Sequence, residues 1–278
     1  MPSRRAYLAT VAVAGLAGCV DDAPGSDTES PTATTAPGTP SASGVTVEAA
    51  AVQYAYRHIE NVDWNGIQPA DGQFVFVTVD ARAPSIPPNR AAFTLLADGE
   101  QYAPITPEYG YPVDLDVPGD GYTPDDGDAD RRGWLLFETP AQLASAPTLR
   151  LDHDPEPEEW EPSVENATSP PPAWEWSVDA PNTVAPDETF DITITAENVG
   201  DGPGAFRGAV NFSYPMYMRK AFDLPLDPGE SATATVEASI EDADSGTEIE
   251  YGVRTPAGES TVAVTVEGES TTPTTAPE

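Results

Sequence analysis

The chain is short of several things, and each shortage excludes something. It has one cysteine, Cys19, so no disulfide can close within it, and stability outside a cell must come from burying apolar side chains. It has 12 lysines and arginines against 47 aspartates and glutamates, and Lys220 is the single lysine. The formal net charge of −35 over 278 residues repels phosphate backbones, so nucleic acid is not expected as a partner. Histidine, the usual base near neutral pH, occurs twice, as His58 and His153. The sequence has no Gly-x-Ser-x-Gly elbow, no His-Glu-x-x-His pair and no Gly-x-x-x-x-Gly-Lys phosphate cradle. These shortages lead us to expect a chain that is not an enzyme. Long apolar runs are missing as well. The run Ala6 to Gly18 spans about 20 Å as a helix, too short to cross a bilayer.

What is present begins at the N-terminus. Ser3-Arg4-Arg5-Ala6-Tyr7-Leu8 supplies a charged start, an apolar run follows, and Leu16-Ala17-Gly18-Cys19 closes it with small residues. The first motif resembles the twin-arginine export signal and the second the lipobox of prokaryotic lipoproteins. The resemblance implies that Arg4 and Arg5 direct export of a folded chain, that residues 1–18 are removed, and that Cys19 receives a lipid. The membrane would then be a partner through that lipid, and the protein would sit on the outer face of the cytoplasmic membrane. Removing Arg4 and Arg5 takes the charge to −37. An acidic, lysine-poor but hydrophobically patterned chain resembles proteins of salt-loving archaea. In molar salt the Debye length falls to about 3 Å and self-repulsion is screened.

Composition divides the rest. Residues 19–43 hold Cys19, the expected lipid site, and from Asp21 to Ser43 carry proline, threonine, serine, alanine, glycine and acid without a large apolar side chain, a spacer expected to be disordered. Residues 44–153 read as a first β-sandwich. Residues 154–172, with Asp154-Pro155-Glu156-Pro157 and Ser169-Pro170-Pro171-Pro172, read as an acidic and proline-rich linker. Residues 173–267 read as a second sandwich, and 268–278 as a disordered tail.

Within the first block, Gln73 to Ala81 is apolar on both faces and suits a central strand. Asp98-Gly99 marks a hairpin after Phe93-Thr94-Leu95-Leu96, and Trp134 to Phe137 and Leu149 to Leu151 read as further strands. The stretch Tyr109 to Arg132 is long, acidic and glycine-rich and reads as a functional loop. The second block alternates strictly at Phe190 to Glu197, at Val210, Phe212 and Tyr214, at Ala234 to Ile240, at Ile249 to Val253 and at Val262 to Val266. That period places one side of each strand in a core and the other in water. The expected fold is all-β: two immunoglobulin-like β-sandwiches in tandem between a disordered N-terminal linker and a C-terminal tail.

Three segments carry a resemblance. Ala185-Pro186-Asp187-Glu188-Thr189-Phe190, Ile194 to Gly200 ending in Asn198-Val199-Gly200, and Leu226-Asp227-Pro228-Gly229-Glu230 together resemble cell-adhesion-related (CARDB-like) immunoglobulin-like modules. In those, an Asn-x-Gly closes strand B and a Leu-x-Pro-Gly-Glu turn opens strand E. The first block more weakly resembles immunoglobulin-like lipoprotein domains of unknown function. Neither resemblance brings a catalytic site, and fold of this kind says little about function.

Candidate chemistry is sparse. Asp125, Asp126, Asp128 and Asp130, with Asp114, Asp116 and Asp120 upstream, crowd oxygens as calcium sites do. Arg131 and Phe137 stand where an EF-hand needs glycine and glutamate, so a solvated acidic loop is the preferred reading and calcium the alternative. No other cofactor is expected. Tyr109 and Tyr111 are candidate binding residues for a surface protein or glycan, whereas Trp174 and Trp176 are expected to pack in a core. Asn166-Ala167-Thr168 and Asn211-Phe212-Ser213 are N-glycosylation sequons, with Asn211 expected on the outward face of its strand. The expected function is a lipid-anchored binding or structural protein of the archaeal envelope. The alternative is an ion- or ligand-binding accessory lipoprotein of a transporter or surface enzyme.

Overall fold

A computed structural model of the chain describes residues 42–124, 131–214, 216–240 and 243–268. The export signal with Arg4, Arg5 and Cys19, and the aspartates at 125, 126, 128 and 130, lie outside the described residues. Apart from a single 3-10 turn at Arg90–Ala92, the regular structure of the described residues is all strand, as the alternation predicts.

The N-terminal half starts with a long hairpin of β1 (Thr46–Ile59) and β2 (Asn65–Asp80). After β2 come β3 (Phe93–Ala97), β4 (Glu100–Tyr102), β5 (Tyr111–Val113), β6 (Arg132–Thr139), β7 (Thr148–Leu151) and β8 (Glu158–Trp160). One sheet runs β5-β1-β2-β6 and the other β4-β3-β7-β8. The β3–β4 turn has Asp98 at φ 52° and Gly99 at φ 83°, the left-handed pair that suits an Asp-Gly hairpin.

β2 is central, as its two-faced apolar sequence predicts. Val75, Val77 and Val79, with Leu135 and Phe137 of β6, pack against Phe93, Leu95, Leu149 and Leu151 of the second sheet. The alternate residues Phe74, Phe76, Trp134 and Leu136 form a separate cluster on the opposite face. That face would be wet in a plain sandwich. Here residues 105–122 cover it, burying Val117 to 5% exposure and packing Ile105 and Leu115 beside it. Backbone bonds fix the cover: Ile105 N donates to Leu136 O at 2.8 Å, and Tyr122 N to Trp134 O at 2.9 Å. The stretch expected to be a functional loop is therefore in large part a lid on apolar surface, and it supplies β5. An exposed sheet face of this size would otherwise cost roughly 25 cal/mol for each Å² left in water.

The linker reading of 154–172 is also corrected. β8 pairs with β7, Val164 packs on the core, and Ala167 is 1% exposed, with its carbonyl accepting from Leu143 N and Gln73 Nε2. Charge and proline hid three apolar anchors, Trp160, Val164 and Ala167.

The C-terminal half holds β9 (Trp174–Asp179), β10 (Thr183–Val184), β11 (Thr189–Asn198), β12 (Gly204–Phe212), β13 (Met218–Leu226), β14 (Ser231–Ser239), β15 (Glu248–Thr255) and β16 (Gly258–Val266). Sheet β14-β11-β9 faces sheet β10-β16-β15-β12-β13, and β10 joins β16 in parallel. This is an immunoglobulin-like sandwich. Ile192, Ile194, Phe206, Val210, Tyr251, Val253 and Val264 form its core, each fully buried. Trp174 and Trp176 pack edge-on or tilted against Phe206 at 5.4 and 6.2 Å, as expected of core residues.

The Asn-x-Gly at the end of β11 has a physical reason. Asn198 is fully buried, its Nδ2 donating to Gly202 O at 2.8 Å and Leu226 O at 3.0 Å. Its Oδ1 accepts from Ala173 N at 3.3 Å and Gly200 N at 3.1 Å. One amide thus satisfies four backbone groups of three chain segments, which an apolar residue would leave bare. Gly202 approaches Pro170 so closely that a Cβ would overlap its carbonyl, so only glycine fits this packed turn.

Candidate functional site

The hairpin β1–β2 outruns its sheet. β6 pairs only with Gln73–Asp80, while Ala55–Ile59 and Asn65–Pro69 continue as a free ribbon joined by β5. Its side chains bond to β12, β13 and β15 of the C-terminal sandwich, and this joint is where the unusual chemistry lies.

Arg57 of β1 is 2% exposed. Its Nε donates to Asp114 Oδ2 at 3.2 Å, and its Nη2 to Asp114 Oδ2 at 2.9 Å and Asp223 Oδ2 at 3.0 Å. Its Nη1 donates to the carbonyls of Gly208 and Phe222, each at 3.2 Å. A guanidinium has five N–H donors, and these bonds use every one. Arg207 of β12 answers from the other side. It is 6% exposed, gives Nη1 to Asp114 O at 3.0 Å, and pairs its Nη2 with Asp116. The carboxylates of Asp114, Asp116 and Asp223 stay 43–61% exposed, so the acids keep water while the guanidiniums lose it. Arginine suits this asymmetry because it is weakly hydrated and presents a planar fork. Asp114 and Asp116, read in sequence beside a metal-like cluster, are arginine partners.

Asn211 is the clearest correction. It does lie opposite Val210 and Phe212, but it is 4% exposed, because the face that should meet water meets the hairpin. Its Oδ1 accepts from Asn65 N and its Nδ2 donates to Asn65 O, both at 3.0 Å, so the side chain pairs with the ribbon like a strand neighbour. Asn166, the other sequon residue, is exposed and sits at φ 65° in a turn closed by Ser169 N donating to its carbonyl.

His58 lies next to the end of β1 and is 5% exposed. Its ring lies 6.3 Å from Tyr56 and stacks on Tyr109 at 5.9 Å, and a Cβ on Gly66 would overlap it. Burial lowers its pKa from 6.5, Glu60 pulls it back up, and Arg254 lowers it further. Nδ1 has no hydrogen-bond partner among the described residues. His153 is exposed, far along the chain from any such enclosure. Of the two tyrosines singled out, Tyr109 is 52% exposed and Tyr111 79%, on the β5 edge of the ribbon.

The ribbon's turn was not anticipated. Asn61 Oδ1 accepts from Asp63 N at 2.9 Å and Trp64 N at 3.1 Å, and Trp64 O accepts from Glu60 N at 3.0 Å. The turn presents Trp64 to Arg254 of β15, whose guanidinium carbon lies 5.4 Å from the ring centroid. Arg254 is itself held by Glu60 and by Glu259, the latter at 3.3 Å. Arg219 donates to Val62 O on the same turn. A cleft of about 550 Å³ opens beside this contact, lined by Trp64 from one half and by Ser213, Glu250, Arg254, Glu259 and Thr261 from the other. The available signal was the placement of arginine: four of the chain's 12 basic residues, Arg57, Arg207, Arg219 and Arg254, meet here at strand positions. No group of three or more metal-ligating side chains occurs among the described residues.

No protein-family model matches the chain, and no curated protein matches it. Among solved structures it is similar to a CARDB domain from Pyrococcus furiosus, solved in complex with di-metal ions, at 13% identity and a TM-score of 0.29, over 34% of this chain and 88% of that one. It is similar to a β-glucosidase from Listeria innocua at 16% identity and a TM-score of 0.29, over 35% of this chain and 16% of the enzyme. A DNA glycosylase from Pseudomonas fluorescens follows at 14% identity and a TM-score of 0.26, over 34% of this chain and 30% of the glycosylase. The chain thus spans about a sixth of the length of the glucosidases it resembles.

Proposed function

We propose that this chain is a non-catalytic, lipid-anchored surface protein of a salt-adapted archaeal envelope, which carries two sandwiches as one rigid unit and binds a surface partner. The observation that supports this best is the joint. Three of the five bonds from a buried Arg57 tie the hairpin of one sandwich to two carbonyls and a carboxylate of the other, and the remaining two hold its guanidinium in place through Asp114 of its own half. A hinge for substrate closure would be built from weaker, wetter contacts. The enclosure of His58 by Tyr56, Tyr109 and Gly66 also leaves no place for a substrate beside its imidazole. The order of Arg4-Arg5, an apolar run and Cys19 supports the anchor.

The test is mass spectrometry of the native protein together with protease treatment of intact cells. The expected result is a lipidated N-terminal Cys19 on a chain that external protease removes. A free thiol on a full-length chain in the cytoplasmic fraction would overturn the proposal.

A further inference from the structure

We propose that the cleft beside Trp64 is a binding site for a neutral saccharide. The inference rests on the surface-binding reading and names the ligand class for one site on it. Three observations carry it.

The first is preorganisation. An exposed tryptophan on a loop normally samples several rotamers, but Trp64 is fixed on both sides. Asn61 caps its turn through two backbone N–H groups, and the Arg254 guanidinium backs its ring, itself held by Glu60 and Glu259. The ring remains 36% exposed and lines the cleft. A held aromatic face with water on it is a platform for a flat, weakly polar surface, and the C–H face of a pyranose is such a surface.

The second is the rest of the lining. Ser213, Ser260 and Thr261 offer hydroxyls that both donate and accept, Glu250 offers a carboxylate acceptor, and Arg254 offers donors. That mixture matches vicinal hydroxyls, each of which donates and accepts. It does not match an anion, because Glu250 and Glu259 face the same space. It does not match an aliphatic ligand, because the lining is too polar.

The third is size and place. About 550 Å³ lies within the range of small-ligand clefts, and the cleft sits at the junction of the two halves, where such sites concentrate. Both halves contribute to it, so the rigid joint also sets its shape.

The experiment uses the full chain in molar potassium chloride, titrated with maltotriose and with chitotriose and followed by calorimetry and tryptophan emission. The expected result is saturable binding of at least one trisaccharide, unchanged when the salt is varied. Trp64→Ala is expected to weaken it by about tenfold or more, the equivalent of one lost stacking contact. Glu250→Gln leaves every contact of the joint in place and is expected to weaken it as well. Absence of saturable binding for both sugars overturns the inference, as does binding that neither variant weakens. Binding of an oligolysine peptide that fades with salt, in place of the sugars, would also overturn it and assign the carboxylates to a cationic partner. If Cys19 carries its lipid and the chain is surface-exposed while no sugar binds, the cleft assignment falls and the surface role stands.

Discussion

The two halves of the molecule bury their sheets differently. In the C-terminal sandwich, β11 shows apolar and polar residues in strict turn, and its burial follows: Ile192, Ile194 and Ala196 are fully buried while Asp191 and Glu197 are exposed. In the N-terminal half the central sheet is buried on both faces, by a second sheet on one and by residues 105–122 on the other. β12 belongs by sequence to the first kind and by environment to the second, since Arg207, Ala209 and Asn211 are covered by the ribbon. Alternation therefore reports which face meets the core. It does not report whether the other face meets water.

The comparison makes breakable predictions. The largest effect is expected at Arg57. The native chain should unfold in one step, and Arg57→Ala should cost about 4 kcal/mol, because the carbonyls of Gly208 and Phe222 lose their donor inside the joint and a buried side chain is removed, while Asp114 and Asp223 keep their water. Urea denaturation should then split into two transitions, one per sandwich. A single unshifted transition would mean that the joint does not couple the halves.

Next comes Asn198→Ala, expected to cost about 3 kcal/mol by stranding Ala173 N, Gly200 N, Gly202 O and Leu226 O. Hydrogen exchange should rise along β9 and the ends of β11 and β13 and leave β2 and β6 unchanged. Val117→Ala sharpens the other side of the comparison. It removes two methyl groups from the inner face of the lid and should cost about 2 kcal/mol, read as faster exchange at Tyr122 and Ile105. If residues 105–122 were only a loop over water, that variant would be silent.

The smallest effect is electrostatic. Burial holds the His58 pKa below its ordinary 6.5, so the unfolded chain binds the proton first as pH falls. The contribution of His58 is therefore fully present above about pH 6.5 and is lost as pH drops toward the folded value. In denaturation midpoints between pH 7.5 and 5.5, His58→Asn should show a flatter decline than the native chain. Equal slopes would mean that His58 does not titrate differently in the joint.

Much of the fold was legible in the residues. Asp98-Gly99, Asp227-Pro228-Gly229 and Asn198-Val199-Gly200 each mark a turn through local chemistry, and β-branched runs mark β2 and β11. What escaped has a common cause. β1 carries Ala49, Ala50, Ala51 and Ala55, which have little strand preference of their own, and becomes a strand because β2 lies beside it. β5 and β8 are three residues each, too short for a period to show, and are held by edges formed far away in sequence. The Trp64 cleft combines residues from both halves, and nothing local to Trp64 announces Arg254 or Thr261. The excess of acid also misled, since Asp114 and Asp116 looked like part of an ion site until their arginines, more than 50 positions away, came into view.

The amide of Asn211, shut between the two halves, bears on how the surface of this protein can be decorated. A transferase needs the side-chain nitrogen free and the backbone around it pliable. A chain exported after folding, as the paired arginines near its start suggest, would arrive with that nitrogen already spent on Asn65. Only the sequon at Asn166, standing open in its turn, could then accept a sugar, and the matching tripeptide at Asn211 would pass through unmarked.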